Sequence, residues 1–178
     1  MEFYEVINLI ISALTLAIGL FGVIFGLTQY TNSKKVSKSQ FVSDLIQKIR
    51  NDKDVKDVIR LIEHDDFTYD SCFYANRDLE YKTDKTLTLF SYLVYIKDNR
   101  IISEEEFLFF VYEIKLLLQN KQLQNYLYNV YHFSKCCKTE CPFTPIIEYG
   151  KSNKILSEDF FDVDACESSA RYKKIISF

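Results

Sequence analysis

VINLIISALTLAIGLFGVIFGL, residues 6–27, contains no charged side chain. As an α-helix rising about 1.5 Å per residue it extends roughly 33 Å, enough to cross a hydrocarbon core of about 30 Å. The sequence therefore predicts one transmembrane helix over residues 6–27. A cleaved signal peptide needs a positive start and a shorter apolar stretch. Here Met1, Glu2, Phe3, Tyr4 and Glu5 precede the run, so an uncleaved anchor is expected. Glu2 and Glu5 stand on one flank and Lys34, Lys35 and Lys38 on the other. Positive flanks stay in the cytoplasm, which places the N-terminus outside and the rest of the chain within. Tyr4 and Tyr30 stand where interfacial aromatic rings are expected.

Within this helix Asn8, Ser12, Thr15, Gly19, Gly22, Gly26, Gln29 and Ser33 follow one another at alternating spacings of four and three. That is a heptad seam, and it gathers three of the chain's four glycines on one stripe. Leu, Ile, Val and Phe are left to meet lipid. Gly22 and Gly26 also form a G-x-x-x-G pair, whose lack of side chains lets two helix backbones approach closely. The stripe predicts self-association, with Asn8 and Gln29 at its two ends as the polar groups that would meet water in a ring of helices. The alternative is a solitary anchor in which the glycines have no partner.

Over its full 178 residues the chain has the composition of a packed protein, 48% hydrophobic and 26% charged with both signs interspersed. Two prolines and four glycines favour long helices. A net charge of −3 gives no global reason to expect nucleic-acid binding. Residues 1–33 are read as the membrane segment and residues 34–178 as one cytoplasmic helical domain. Phe41, Leu45, Ile46 and Ile49 recur at helical spacing, and the span helix is free to continue into them. Residues 51–54 should interrupt it before a second helix bearing Val55, Val58, Ile59 and Ile62, which ends near His64, Asp65 and Asp66. Residues 67–82 read as a long packed loop with room for a short strand. Three helices follow: one with Leu87, Phe90, Leu93, Val94 and Ile96; one opening on the capping box Ser103 to Glu106; and one from Leu123 to about Phe133. After Lys135 the pattern breaks up, through an acidic, aromatic stretch at 157–167 to a basic end at Arg171, Lys173 and Lys174. The fold class is thus mainly α: a membrane helix followed by a small bundle.

Chemistry-bearing motifs are scarce. The chain has no phosphate-cradling glycine loop, no nucleophile elbow and no paired-cysteine zinc pattern. Cys72, Cys136, Cys137, Cys141 and Cys166 are odd in number and irregular in spacing, so reduced thiols are expected rather than a disulfide framework. Cys136, Cys137 and Cys141 with His132 could supply four zinc ligands, yet adjacent cysteines rarely both reach one metal. No metal or cofactor is expected. His64 and His132 are the only histidines. Arg60 and His64 lie four apart on one helix face, where arginine could hold an RNA phosphate and histidine move the proton. The competing reading is a solvated helix end, with His64 beside two aspartates at the negative end of the dipole.

A charge-poor single span, a helical domain of this size and the stretch Arg60-Leu-Ile-Glu-His64 together resemble the small membrane accessory proteins of type VI-B CRISPR loci, which are divergent HEPN-domain proteins. HEPN nucleases place more residues between Arg and His than the three found here. The resemblance implies a HEPN-like bundle at the bacterial inner membrane. It further implies a ring-shaped homo-oligomer that opens a pore and strengthens RNA-guided defence against phage, with an RNA-guided nuclease or RNA as partner. Two other readings stand beside it: a membrane-tethered HEPN ribonuclease acting through Arg60 and His64, and an anchored interaction module with neither pore nor catalysis.

Overall fold

A computed structural model describes residues 3–70 and 72–162. Every regular element of the described chain is a helix, with no strand among the described residues. It divides into two compact units, Met1–Asp44 and Leu45–Phe178.

The first unit consists of the greater part of α1, Phe3–Asn51, a single helix of 49 residues whose last turns belong to the second unit. It is the one helix among the described residues long and apolar enough to cross a membrane, and none of its apolar window is buried. The boundary expected at residue 33 falls inside this helix. No glycine or proline occurs between Leu27 and Asn51, so nothing in the Ser- and Lys-rich stretch breaks the hydrogen-bond ladder.

In the second unit the interruption after Asn51 has a clear cause. Asp52 caps α2, Lys53–Glu63, its carboxylate accepting from the backbone N–H groups of Asp54 and Val55 at 3.0 and 3.3 Å. Val55, Val58 and Ile62 bury one face of α2. Its far end closes as expected near His64. Asp65 turns left-handed at φ 56°, while Asp66 N–H reaches back to Leu61 O at 2.8 Å and Asp65 N–H to Ile62 O at 3.2 Å.

The expectation for residues 67–82 is corrected: a 3₁₀ turn at Phe73–Ala75 leads directly into α3, Arg77–Asp98, and no strand forms among the described residues. The helix begins well before Leu87 because threonines occupy its core positions. Thr83 and Thr86 are fully buried, and each hydroxyl donates to a carbonyl one turn back, Leu79 O at 2.8 Å and Lys82 O at 2.7 Å. A polar residue type thus does an apolar residue's packing, which hides the 3.6-residue period.

α4, Glu104–Gln119, opens on the anticipated capping box: Ser103 N–H donates to Glu106 at 2.6 Å and Glu106 N–H to Ser103 Oγ at 3.2 Å. α5, Lys121–Cys136, runs a little past Phe133. The loss of pattern expected after Lys135 is also corrected, because α6 forms at Thr144–Ser152 with Pro145 in its first turn. Ile146, Ile147 and Gly150 are its buried residues. At Gly150 an added Cβ would lie 2.9 Å from the Leu156 side chain. α3 packs against both α2 and α6, and Leu87, Phe90, Leu93, Ile114, Leu117, Leu118, Leu123 and Leu127 fill the core. Cys166 and the basic end at Arg171, Lys173 and Lys174 lie outside the described residues.

Candidate functional site

Arg60 and His64 line one cleft of about 490 Å³ in the second unit. Burial of Val55, Val58 and Ile62 turns the opposite face of α2 outward, and that face carries both side chains. The facing wall is the start of α3, where Asn76 caps the helix by accepting from Leu79 N–H at 3.3 Å. Lys82 ties the walls together, its ammonium 3.1 Å from Asp57 and 2.8 Å from Asp78. Hydrogen bonds to Asp78 and Asp57 raise the Lys82 pKa.

The side chains of Arg60 and His64 are exposed, and neither makes an ion pair or hydrogen bond among the described residues. Both remain available to a ligand. The surrounding charge disfavours a phosphodiester: Asp57, Asp66 and Asp78 face two permanent cations, and Lys82 is already engaged. Arg60 alone is left to attract an anion.

His132, the other histidine, belongs to the core. It is fully buried, its ring lies 4.2 Å from that of Tyr128, and its Nε2–H donates to Phe160 O at 2.8 Å. Burial lowers its pKa, so it stays neutral at pH 7. His132, Cys136, Cys137 and Cys141 do not converge. Cys136 and Cys137 are exposed, Cys141 is buried with its thiol pKa pushed up by burial, and no group of three or more His, Cys, Asp or Glu among the described residues could hold a metal ion.

In the first unit Asn8, Ser12, Thr15, Gly19, Gly22, Gly26 and Gln29 are all exposed. Nothing lies within 4 Å of a Cβ added at Gly19, Gly22 or Gly26, so the stripe is open to a neighbour. Two shallow grooves follow it, one at Ser12, Thr15 and Gly19, the other at Gln29 and Ser33. The Thr15 hydroxyl already donates to Ile11 O at 2.8 Å, which leaves Thr15 contributing its small size rather than a free donor.

A polar network in the second unit has no signature in the sequence. Tyr126 of α5 donates to Asp84 of α3, and Asn129 Nδ2 donates to Tyr69 Oη at 2.7 Å, which lies 2.9 Å from Tyr74 Oη. Burial raises the pKa of Asp84. Four tyrosine and asparagine positions scattered over sixty residues give no motif; only the packing of the 67–76 segment on α5 brings them together. Also unanticipated is the outer face of α4, where Leu108, Phe109 and Tyr112 are 61 to 67% exposed.

No family model matches this chain, and no curated protein or solved structure matches it either.

Proposed function

We propose that this chain is an oligomeric membrane effector: copies insert through α1, associate along the Asn8-to-Gln29 stripe and permeabilise the bilayer. The observation that carries this reading is the open stripe itself. Gly19, Gly22 and Gly26 sit unobstructed on a helix whose apolar run otherwise exposes chiefly Leu, Ile, Val and Phe. In lipid, association is driven by close van der Waals packing and interhelical hydrogen bonds, and a groove of small residues supplies the first. The helical second unit stands on the cytoplasmic side, and the likeness to type VI-B CRISPR accessory proteins extends the proposal to RNA-guided antiphage defence at the inner membrane. The deciding experiment is the mass of the detergent-solubilised full-length protein, paired with ion leakage from liposomes that contain it. A multi-subunit mass with leakage supports the proposal; a monomer that leaks nothing leaves only an anchored module.

A second reading, a tethered ribonuclease, is favoured by one observation, the convergence of Arg60 and His64 on the same cleft. The carboxylates lining that cleft count against it. RNA cleavage by the full-length protein, abolished in His64→Ala, would select it.

A further inference from the structure

The charged end of the span carries a second surface, on a different face from the seam. Residues 28–43 contain no acidic side chain, whereas Lys34, Lys35 and Lys38 all fall within them. All lie on α1, and Lys34 and Lys35 are exposed. At 3.6 residues per turn these lysines centre roughly 150° around the helix from Gly26, Gln29 and Ser33. A helix that packs through its seam therefore turns the lysines away from its neighbours and toward the surrounding lipid.

Their depth fits the bilayer surface. The Lys34 ammonium lies 4.6 Å from the centre of the Tyr30 ring, so the side chain runs back toward the span. Tyr30 follows Leu27 by three residues, or about 4.5 Å of helix rise. Both groups therefore sit where the hydrocarbon gives way to headgroups, the level at which tyrosine rings and lysine ammoniums settle in membranes. Lys35 and Lys38 continue the same stripe within about a turn.

We propose that Tyr30, Lys34, Lys35 and Lys38 form a lipid-facing collar that binds the phosphate of an anionic phospholipid headgroup. The proposal rests on the membrane-spanning reading of α1. Each lysine near a negative bilayer surface strengthens binding about fivefold, and three together by roughly a hundredfold. Self-association would multiply the collar around a ring, drawing anionic lipid to its rim.

The test uses full-length protein reconstituted into liposomes of equal phosphatidylglycerol and phosphatidylcholine, re-extracted in mild detergent, with the retained lipids quantified by mass spectrometry. Wild-type protein should retain phosphatidylglycerol over phosphatidylcholine. The K34Q/K35Q/K38Q variant should lose that preference toward parity, by up to about a hundredfold, and K34R/K35R/K38R should keep it. Equal retention of the two lipids by wild-type protein, or undiminished preference in the glutamine variant, overturns the proposal. So does displacement of the lipid by inorganic phosphate where chloride of equal ionic strength has no effect, since the ligand would then be the free anion. Alkaline carbonate separates the two claims. Protein stripped from the liposomes refutes the span, and protein that stays without lipid preference refutes the collar alone.

Discussion

The Tyr126 hydroxyl donates to the carboxylate of Asp84, joining α5 to α3 through a hydrogen bond to a group that burial keeps partly dry. Desolvation raises the Asp84 pKa, and the Tyr126 bond pulls it partly back. Burial raises Glu80, one turn earlier on α3, in the same direction. A carboxyl whose folded pKa exceeds its unfolded value binds its proton more tightly when folded. Its contribution to stability is therefore greatest at acid pH and falls as pH rises from the ordinary carboxylate value through the raised one. Asp84→Asn keeps an acceptor for Tyr126 and removes the charge. Thermal melts of the full-length protein should show this variant losing less stability than wild type between pH 4 and 7. Tyr126→Phe, which strands a partly buried carboxylate, should cost about 1–3 kcal/mol at pH 7.

At Gly22 the open surface sets a second expectation. A Cβ added there meets nothing within 4 Å beyond the adjoining helix backbone, so folding and insertion of a Leu variant should survive. Neighbouring helices, however, would be pushed apart. Gly22→Leu should fractionate with membranes as wild type does, yet run at lower mass in detergent and leak fewer ions from liposomes. Unchanged mass and leakage would remove the seam from the assembly.

His64→Ala and Arg60→Ala alter exposed side chains without internal partners among the described residues. Each should change stability by no more than about 0.5 kcal/mol. Under the effector reading, purified full-length protein leaves RNA intact and both variants retain liposome leakage; a gel showing His64-dependent RNA cleavage would reverse that assignment.

α2, α3, α5 and α6 all close on a left-handed residue that is not glycine, namely Asp65, Arg100, Lys138 and Lys154. In each case the N–H of the following residue reaches back to a carbonyl in the last turn, as Ile155 does to Gly150 O at 2.8 Å. An L side chain in this region is strained, so Lys154→Gly should raise stability by about 1 kcal/mol. Gly150→Ala should act oppositely, lowering it by about 1–3 kcal/mol, because the new methyl would meet Leu156 at 2.9 Å. Thermal denaturation of the two variants side by side checks both signs.

Topology is open to a direct assay. The positive-inside rule, applied to Lys34, Lys35 and Lys38 on one flank and Glu2 and Glu5 on the other, predicts that the helical unit faces the cytoplasm. Protease added to intact spheroplasts should spare it and digest it only after lysis. Cleavage in intact cells would invert the orientation, and the site of the collar with it.

Local chemistry made part of this protein legible from its residues alone. The absence of charge over residues 6–27, the spacing of Gly19, Gly22 and Gly26, the stop at Asp52 and the Ser103–Glu106 box each lie within one contiguous stretch of chain, so residues near in sequence settle them. The early start of α3 was hidden because Thr83 and Thr86 become core residues only when other helices cover them and their own backbone satisfies their hydroxyls. α6 was hidden because a helix of nine residues is too short to hold by propensity and depends on its packing against α3. Arg60 and His64 were placed on one face by their spacing, but the acidic wall opposite them comes from α3 and from the turn after α2. His132 stands within nine residues of Cys136, Cys137 and Cys141 in sequence, yet the fold buries His132 against Phe160 and leaves Cys136 and Cys137 in solvent. Residues near in sequence share a helix face by backbone geometry, whereas the charge and burial around that face are decided by whichever distant segments pack against it.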